Sequence, residues 1–201
     1  LRNFPPGALA LLALTCLASL TGLYLAPQVI ARSLFRPYWL VRRAEYVRLI
    51  TSGFVHADLG HLLFNAITFY SFAFFLERYI GTMKFLALYF SGLLLGNLGT
   101  YVKHRTDPNY SCLGASGAIL AVMFASIVYF PSQRLIIIPI PVPIPAPLFA
   151  FGYLAFTYYS ARQSRDKINH DAHLGGALTG LAFVAVTDPS AYRNLLTAVL
   201  G

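Results

Sequence analysis

Charge is what this chain most conspicuously lacks. Only 11% of its 201 residues are Asp, Glu, Lys or Arg, against about a quarter in an ordinary soluble domain. Cysteine is nearly absent. The two present, Cys16 and Cys112, are far apart and have neither CxxC nor metal-ligand spacing, which excludes a disulfide framework and a cysteine zinc site. There is no H-E-x-x-H pattern, no repeat of 20 to 50 residues and no strict apolar–polar alternation. A helix-borne zinc protease, a solenoid and a membrane β-barrel are thereby excluded. Nor is there a polar stretch long enough for a separate catalytic domain.

Apolar residues take the place of charge, at 57% of the chain and a mean hydropathy of +0.63. Lipid is the solvent this composition implies. The net charge of +8 does not indicate nucleic acid. The basic residues lie in connections between apolar runs, where they suit lipid headgroups.

About 20 apolar residues are needed for each helical crossing of a bilayer. Six such runs are read, at about Gly7–Ile30, Leu59–Phe75, Met83–Val102, Ala115–Phe130, Ala146–Tyr159 and Ala172–Val186. The first is too long for a cleavable signal and has no small-residue cleavage site, so it is expected to remain as a membrane helix. Helices are the default, because backbone groups in lipid must be bonded within their own segment. The fold class is therefore an all-α membrane protein, a bundle of six transmembrane helices forming one domain over residues 1–201.

Residues 31–58 interleave Arg32, Arg36, Arg42, Arg43 and Arg48 with Phe35, Tyr38, Trp39, Leu40 and Tyr46. Basic side chains among aromatics suit the water–lipid interface, so this first connection is expected to be an interfacial loop. From Ile138 to Pro145 every second residue is proline, which excludes helix and predicts a stiff, extended lead-in to the fifth span. Six spans put both termini on one side. That side carries five basic residues and the other carries ten, so charge alone would place the termini outside.

Three polar groups lie at the ends of spans, where buried polarity costs most and implies function. Gly114-Ala115-Ser116-Gly117 opens the fourth span. A serine there has unpaired backbone N–H groups and the positive end of a helix dipole beside it, as a nucleophile and its oxyanion require. An N-cap serine in a tight turn is the alternative. His173 opens the sixth span, with Gly176 and Gly180 at i+3 and i+7 on the same face. That spacing lets two helices approach backbone to backbone and brings a short imidazole within reach of its neighbour. The alternative is a packing seam with an interfacial histidine. His56, His61 and Asn65 mark the mouth of the second span, and His61 and Asn65 share one face. They suit either oxyanion donation or plain interhelical hydrogen bonding. Zinc on His56, His61 and His173 is disfavoured, since no acidic partner accompanies them.

The second, fourth and sixth spans all start from one side, so these groups lie at similar depth and converge. The motifs G-A-S-G at 114–117, H-x-x-x-N at 61–65 and H-x-x-G-x-x-x-G at 173–180 resemble the rhomboid family, over about Ala31 to Val186. Glu45-Tyr46-Val47-Arg48 resembles that family's first-loop motif. The resemblance implies an intramembrane serine endopeptidase that cuts transmembrane protein substrates within the bilayer, with no cofactor and no metal. Ser116 would be the nucleophile and His173 the base, a dyad without an acidic third member. Asn65, His61 and the Ser116 N–H would hold the oxyanion, with Gly114 and His56 among the binding positions. His170 is expected to be a loop residue. The family often has tryptophan where this chain has Val47, and an aromatic under the histidine where this chain has Leu120. The resemblance also implies cytoplasmic termini and an active site toward the outer face, against the charge count. The short loops suggest a bacterial cell membrane. The fifth span, with Phe149, Phe151, Tyr153 and Phe156, is expected to form a lateral gate.

Overall fold

The computed structural model describes residues 5–137, 140–163 and 168–200. Ile138 and Pro139 of the proline-rich run, and Arg2, Arg165 and Lys167 among the basic residues counted for the two sides, lie outside the described residues. The architecture is helical. Helix α1 (Pro6–Leu20) runs on through a π-helical turn, Thr21–Leu25. Three short helices follow, α2 (Gln28–Ser33), α3 (Pro37–Arg42) and α4 (Arg48–Thr51). Then come α5 (Leu59–Ile80), α6 (Thr82–His104), α7 (Ser116–Tyr129), α8 (Ala146–Gln163), α9 (His170–Thr187) and α10 (Ala191–Leu200). A hairpin of β1 (Arg134–Ile137) and β2 (Ile140–Pro145) joins α7 to α8.

Among the described residues, three helices can cross a membrane by length and composition: Pro6–Leu25, Leu59–Ile80 and Thr82–His104. The other three apolar runs of the sequence correspond to α7, α8 and α9. Helix α7 has only 14 residues, about 21 Å at 1.5 Å per residue. Its shortness has a physical reason. Gly117 through Tyr129 are all buried in protein, so α7 is the axis of the bundle and its length need not match the lipid.

Small residues let the helices around α7 come close. A Cβ placed on Gly176 would lie 2.1 Å from the Gly117 carbonyl oxygen, and one on Gly180 would lie 2.2 Å from that of Ala121. On the other side, a Cβ on Gly92 of α6 would meet Ala121 Cβ at 2.4 Å. Only glycine permits backbones this near. The seam on α9 thus has the character its glycine spacing predicts.

Helix α5 runs five residues beyond its expected end at Phe75. The reason is Glu77, which is buried without being an unpaired charge. Its carboxylate accepts from Gly7 N at 2.9 Å, Ala8 N at 2.6 Å and Thr82 Oγ1 at 2.7 Å. It therefore caps the open N-terminus of α1 from the far end of α5. Gly81, at φ +84°, then turns the chain into α6.

The first connection holds short helices where an interfacial loop was expected. Runs of four to six residues carry too little periodicity to be read from sequence. Glu45 ties the segment together, with ion pairs to Arg36 and, at 3.1 Å, to Arg48. Arg48 also donates to Leu34 O at 3.3 Å. Phe35 and Cys112 exchange two backbone hydrogen bonds of 2.9 and 3.0 Å, fastening this segment to the strip before α7.

From Ile140 to Pro145 the proline-rich run is extended, as predicted, but it is also paired. In a strand, successive N–H groups point to opposite edges. With proline at every second place, the missing donors fall on one edge and the other stays intact. β2 turns that intact edge to β1, with Leu135 opposite Ile144 and Arg134 opposite Pro145.

Candidate active site

Backbone conformation sets the site before any side chain does. Gly114 has φ +115°, a region that side-chain-bearing residues rarely enter. Its N–H donates to Ser52 O at 2.8 Å. A Cβ on Gly114 would fall 3.0 Å from His61 Cε1 and 3.1 Å from Nε2. The bare Cα is what lets the imidazole of His61 lie against this turn.

Ala115, not Ser116, is the N-cap of α7, and no side chain caps that end. The N-cap reading of the serine therefore fails. As the first residue of α7, Ser116 stands among backbone N–H groups that have no partner within the helix. Its hydroxyl is engaged elsewhere, with Oγ 2.8 Å from His173 Nε2. The other ring nitrogen, Nδ1, lies 3.0 Å from the Tyr153 hydroxyl of α8. The imidazole is thus held between a serine on α7 and a tyrosine on α8. Asn169 fixes its height by capping α9, accepting from Ala172 N at 3.1 Å and from Thr100 Oγ1 at 3.0 Å.

His170 is not a loop residue. The cap at Asn169 starts the helix two residues earlier than the apolar run indicated. His170 is therefore the first residue of α9, buried, with its ring edge-on to Phe156 and to His173.

The second-span group divides in two. Asp58 caps α5 by accepting from His61 N at 2.7 Å, which places His61 in the first turn beside Gly114. Asn65 is buried, and its side-chain amide donates to His61 O at 3.0 Å, one turn back. It lines a small cavity with Thr15, Tyr89 and Ala115, next to the serine turn. A second cavity takes in Ser116, Gly114, Asn97 and Asn169.

His56 precedes α5 and is fully buried, its ring edge-on to His61 at 4.8 Å between centroids. Ser19 donates its proton to Phe54 O at 3.1 Å, so it accepts from His56 Nδ1 at 3.0 Å. That leaves Nε2 of His56 an unprotonated acceptor with no partner among the described residues. Burial, and then the nearby His61, push the His56 pKa down to about 4, with Asp58 acting weakly the other way. The ring is neutral at physiological pH, as a support for His61 in an apolar setting should be.

Among the described residues, no three His, Cys, Asp or Glu side chains are placed to hold a metal ion. Both ring nitrogens of His173 already have protein partners. The role of Tyr153 is what the sequence reading missed. It stood there only as a bulky aromatic of the fifth span. The one signal available was a phenol in an apolar run, whose hydroxyl needs a partner once buried. Leu120, where the family resemblance leads to the expectation of an aromatic, packs in the same apolar cluster as Tyr153. An aromatic does stand beside the histidine, delivered from α8 instead of α7.

The Rhomboid domain family matches residues 43–189. The chain belongs to the rhomboid family. Among curated rhomboid relatives, YdcA of Bacillus subtilis, named as a rhomboid protease, is 35% identical over 148 residues, covering 73% of this chain and 70% of that protein. The human mitochondrial presenilin-associated rhomboid-like protein is 30% identical over 156 residues, 73% of this chain and 39% of its own length. Rhomboid protease GluP of Bacillus subtilis is 28% identical over 165 residues, 80% of this chain and 31% of its own. The helical membrane bundle is that of a rhomboid protein, and the site lies within the matched rhomboid segment.

Proposed function

We propose that the protein is an intramembrane serine endopeptidase that cuts transmembrane segments of other membrane proteins. The observation that carries this reading is the 2.8 Å contact between Ser116 Oγ and His173 Nε2 across two different helices. That is hydrogen-bond reach for proton transfer from hydroxyl to imidazole. Two relatives named as rhomboid proteases support the reaction class.

In the proposed reaction, His173 Nε2 takes the Ser116 proton as Oγ attacks a substrate carbonyl carbon. The tetrahedral oxyanion is held by the Ser116 N–H, His61 and Asn65, at the positive end of α7. His173 then gives its proton to the departing amine, which leaves an acyl-enzyme. Water attacks the ester, losing a proton to His173, and the serine is regenerated. Substrate enters sideways past α8 from the bilayer, its helix unwinding to present the bond. His56 and Gly114 keep the His61 ring in place.

We place the termini in the cytoplasm and the site toward the outer face of a bacterial cell membrane. Two of the first-connection arginines are paired with Glu45, and Arg43 stacks 3.7 Å from the centroid of the Trp39 ring. Charge tied down in this way weighs little in orientation. The test is cleavage of a single-span substrate in detergent. The wild type should cut, and Ser116→Ala and His173→Ala should not. Equal turnover by either variant would overturn the reading.

A further inference from the structure

We propose that Tyr153 is the positioning residue for His173, serving from α8 the purpose that a third, acidic member serves elsewhere. The inference rests on the serine-protease reading and assigns a residue to that same site. For His173 to act as a base on Ser116, Nε2 must be unprotonated, so Nδ1 must carry the hydrogen. That N–H then needs an acceptor in a buried setting. The Tyr153 hydroxyl is 3.0 Å away and can accept it. Its own proton remains free to donate. Thr157, one turn further on the same face of α8, has a buried hydroxyl beside the phenol that can receive it.

Packing fixes the phenol in this position. Phe149 stacks on it at 5.6 Å between centroids and Phe124 of α7 lies at 6.0 Å. The oxygen is therefore held by a ring that two neighbours immobilise. A neutral phenol stabilises an imidazolium less than a carboxylate would, but it selects the tautomer and the ring orientation equally well. The placement has a mechanical consequence. The group that orients the base sits on the helix past which the substrate enters, so His173 is fully poised only when α8 is seated.

The test uses the full chain in detergent, with nitrogen-15 labelled histidine. The wild type should give His173 the shifts of an Nδ1–H tautomer. Tyr153→Phe keeps the ring and its packing but removes the acceptor. It should show mixed tautomers, and Ser116 should react with a fluorophosphonate about tenfold more slowly, the factor expected for one ordinary hydrogen bond. For a single-span substrate, kcat should fall similarly with KM unchanged. An Nε2–H tautomer in the wild type would overturn the proposal even if the variant did not fold. So would a Tyr153→Phe protein with wild-type tautomer and labelling rate. A wild type that neither cuts nor labels would sink the protease reading alone, since the tautomer measurement would still decide the role of Tyr153.

Discussion

Gly176 of α9 stands so close to Gly117 of α7 that no side chain fits between them, the Gly117 carbonyl oxygen lying 2.1 Å from where a Cβ would be. His173 is one turn before Gly176 and Ser116 is one residue before Gly117. The hydrogen bond between imidazole and hydroxyl is therefore a property of the glycine contact. Gly176→Ala must push the two backbones apart, and a rigid, close-packed seam has no flexible side chain to yield. The expected cost is about 1–3 kcal/mol of stability from overpacking. Activity should fall roughly a hundredfold, since a displacement near 1 Å at reacting groups has that effect. Fluorophosphonate labelling and thermal unfolding, measured together in detergent, check both.

Gly114 offers a test that separates the proposed oxyanion side from the proposed dyad. An alanine there would be strained at φ +115° and would press on the His61 ring. The local strain is worth about 1–3 kcal/mol. Ser116 and His173 are not touched by the added methyl. Gly114→Ala should fold and keep the 2.8 Å pair, yet lose turnover because His61 is displaced. Turnover equal to wild type would show that the His61 ring position is irrelevant to the reaction.

Much of this arrangement is legible in the sequence because the signals are local and strong. Five long apolar runs match α5, α6, α7, α8 and α9 to within about five residues at each end, and the spacing of Gly176 and Gly180 predicted the seam. What stayed hidden depends on partners remote in sequence. Glu77 reads as a helix end until the N-terminus of α1 is brought to it. Tyr153 reads as bulk until His173 is within 3.0 Å. His170 reads as loop because its surroundings are polar, until the cap at Asn169 starts the helix ahead of the apolar run. Helix α10, beyond the last expected span, packs on α7, and its Tyr192 donates to Leu181 O of α9 at 2.7 Å. It is ten residues long and amphipathic, a pattern that reads as tail until a surface is there to receive it.

Glu77 should matter to stability and not to chemistry. Glu77→Ala would leave two buried N–H groups of α1 without an acceptor. At about 1–3 kcal/mol for each unsatisfied group, the loss is about 2–6 kcal/mol. Glu77→Gln keeps one acceptor oxygen and should lose roughly half as much. Thermal unfolding in detergent should rank wild type above Gln above Ala, while the labelling rate of Ser116 in the folded fraction stays constant.

His56 predicts the direction of acid sensitivity. Its folded pKa is about 4, below the unfolded value of about 6.5. Between those limits the unfolded chain binds a proton that the folded chain refuses. Stability is therefore full above about pH 6.5, falls as the pH drops toward about 4 and changes no further below that through this residue. The contribution is about 3 kcal/mol over the window. His56→Phe preserves a ring against His61 and removes the titration. Its melting temperature should be lower at neutral pH, for want of the Ser19 bond, but should decline less between pH 6.5 and 4.

The proposed lateral gate turns on how α8 is held. It packs chiefly on α9, at its far end Lys103 donates to Ala161 O at 2.6 Å, and Phe151 and Phe156 face outward. The helix leans mainly on one neighbour, and its side toward α5 is the proposed entry from lipid. A disulfide or bifunctional crosslink between α8 and α5 should abolish cleavage of a single-span substrate. It should leave fluorophosphonate labelling of Ser116 nearly intact, because a small reagent can arrive from water. If the probe were also excluded, the crosslink would have distorted the dyad instead of closing an entrance, and Tyr153, on the same helix, would be the first contact to examine. Full turnover of the membrane substrate after complete crosslinking would place the entrance elsewhere in the bundle.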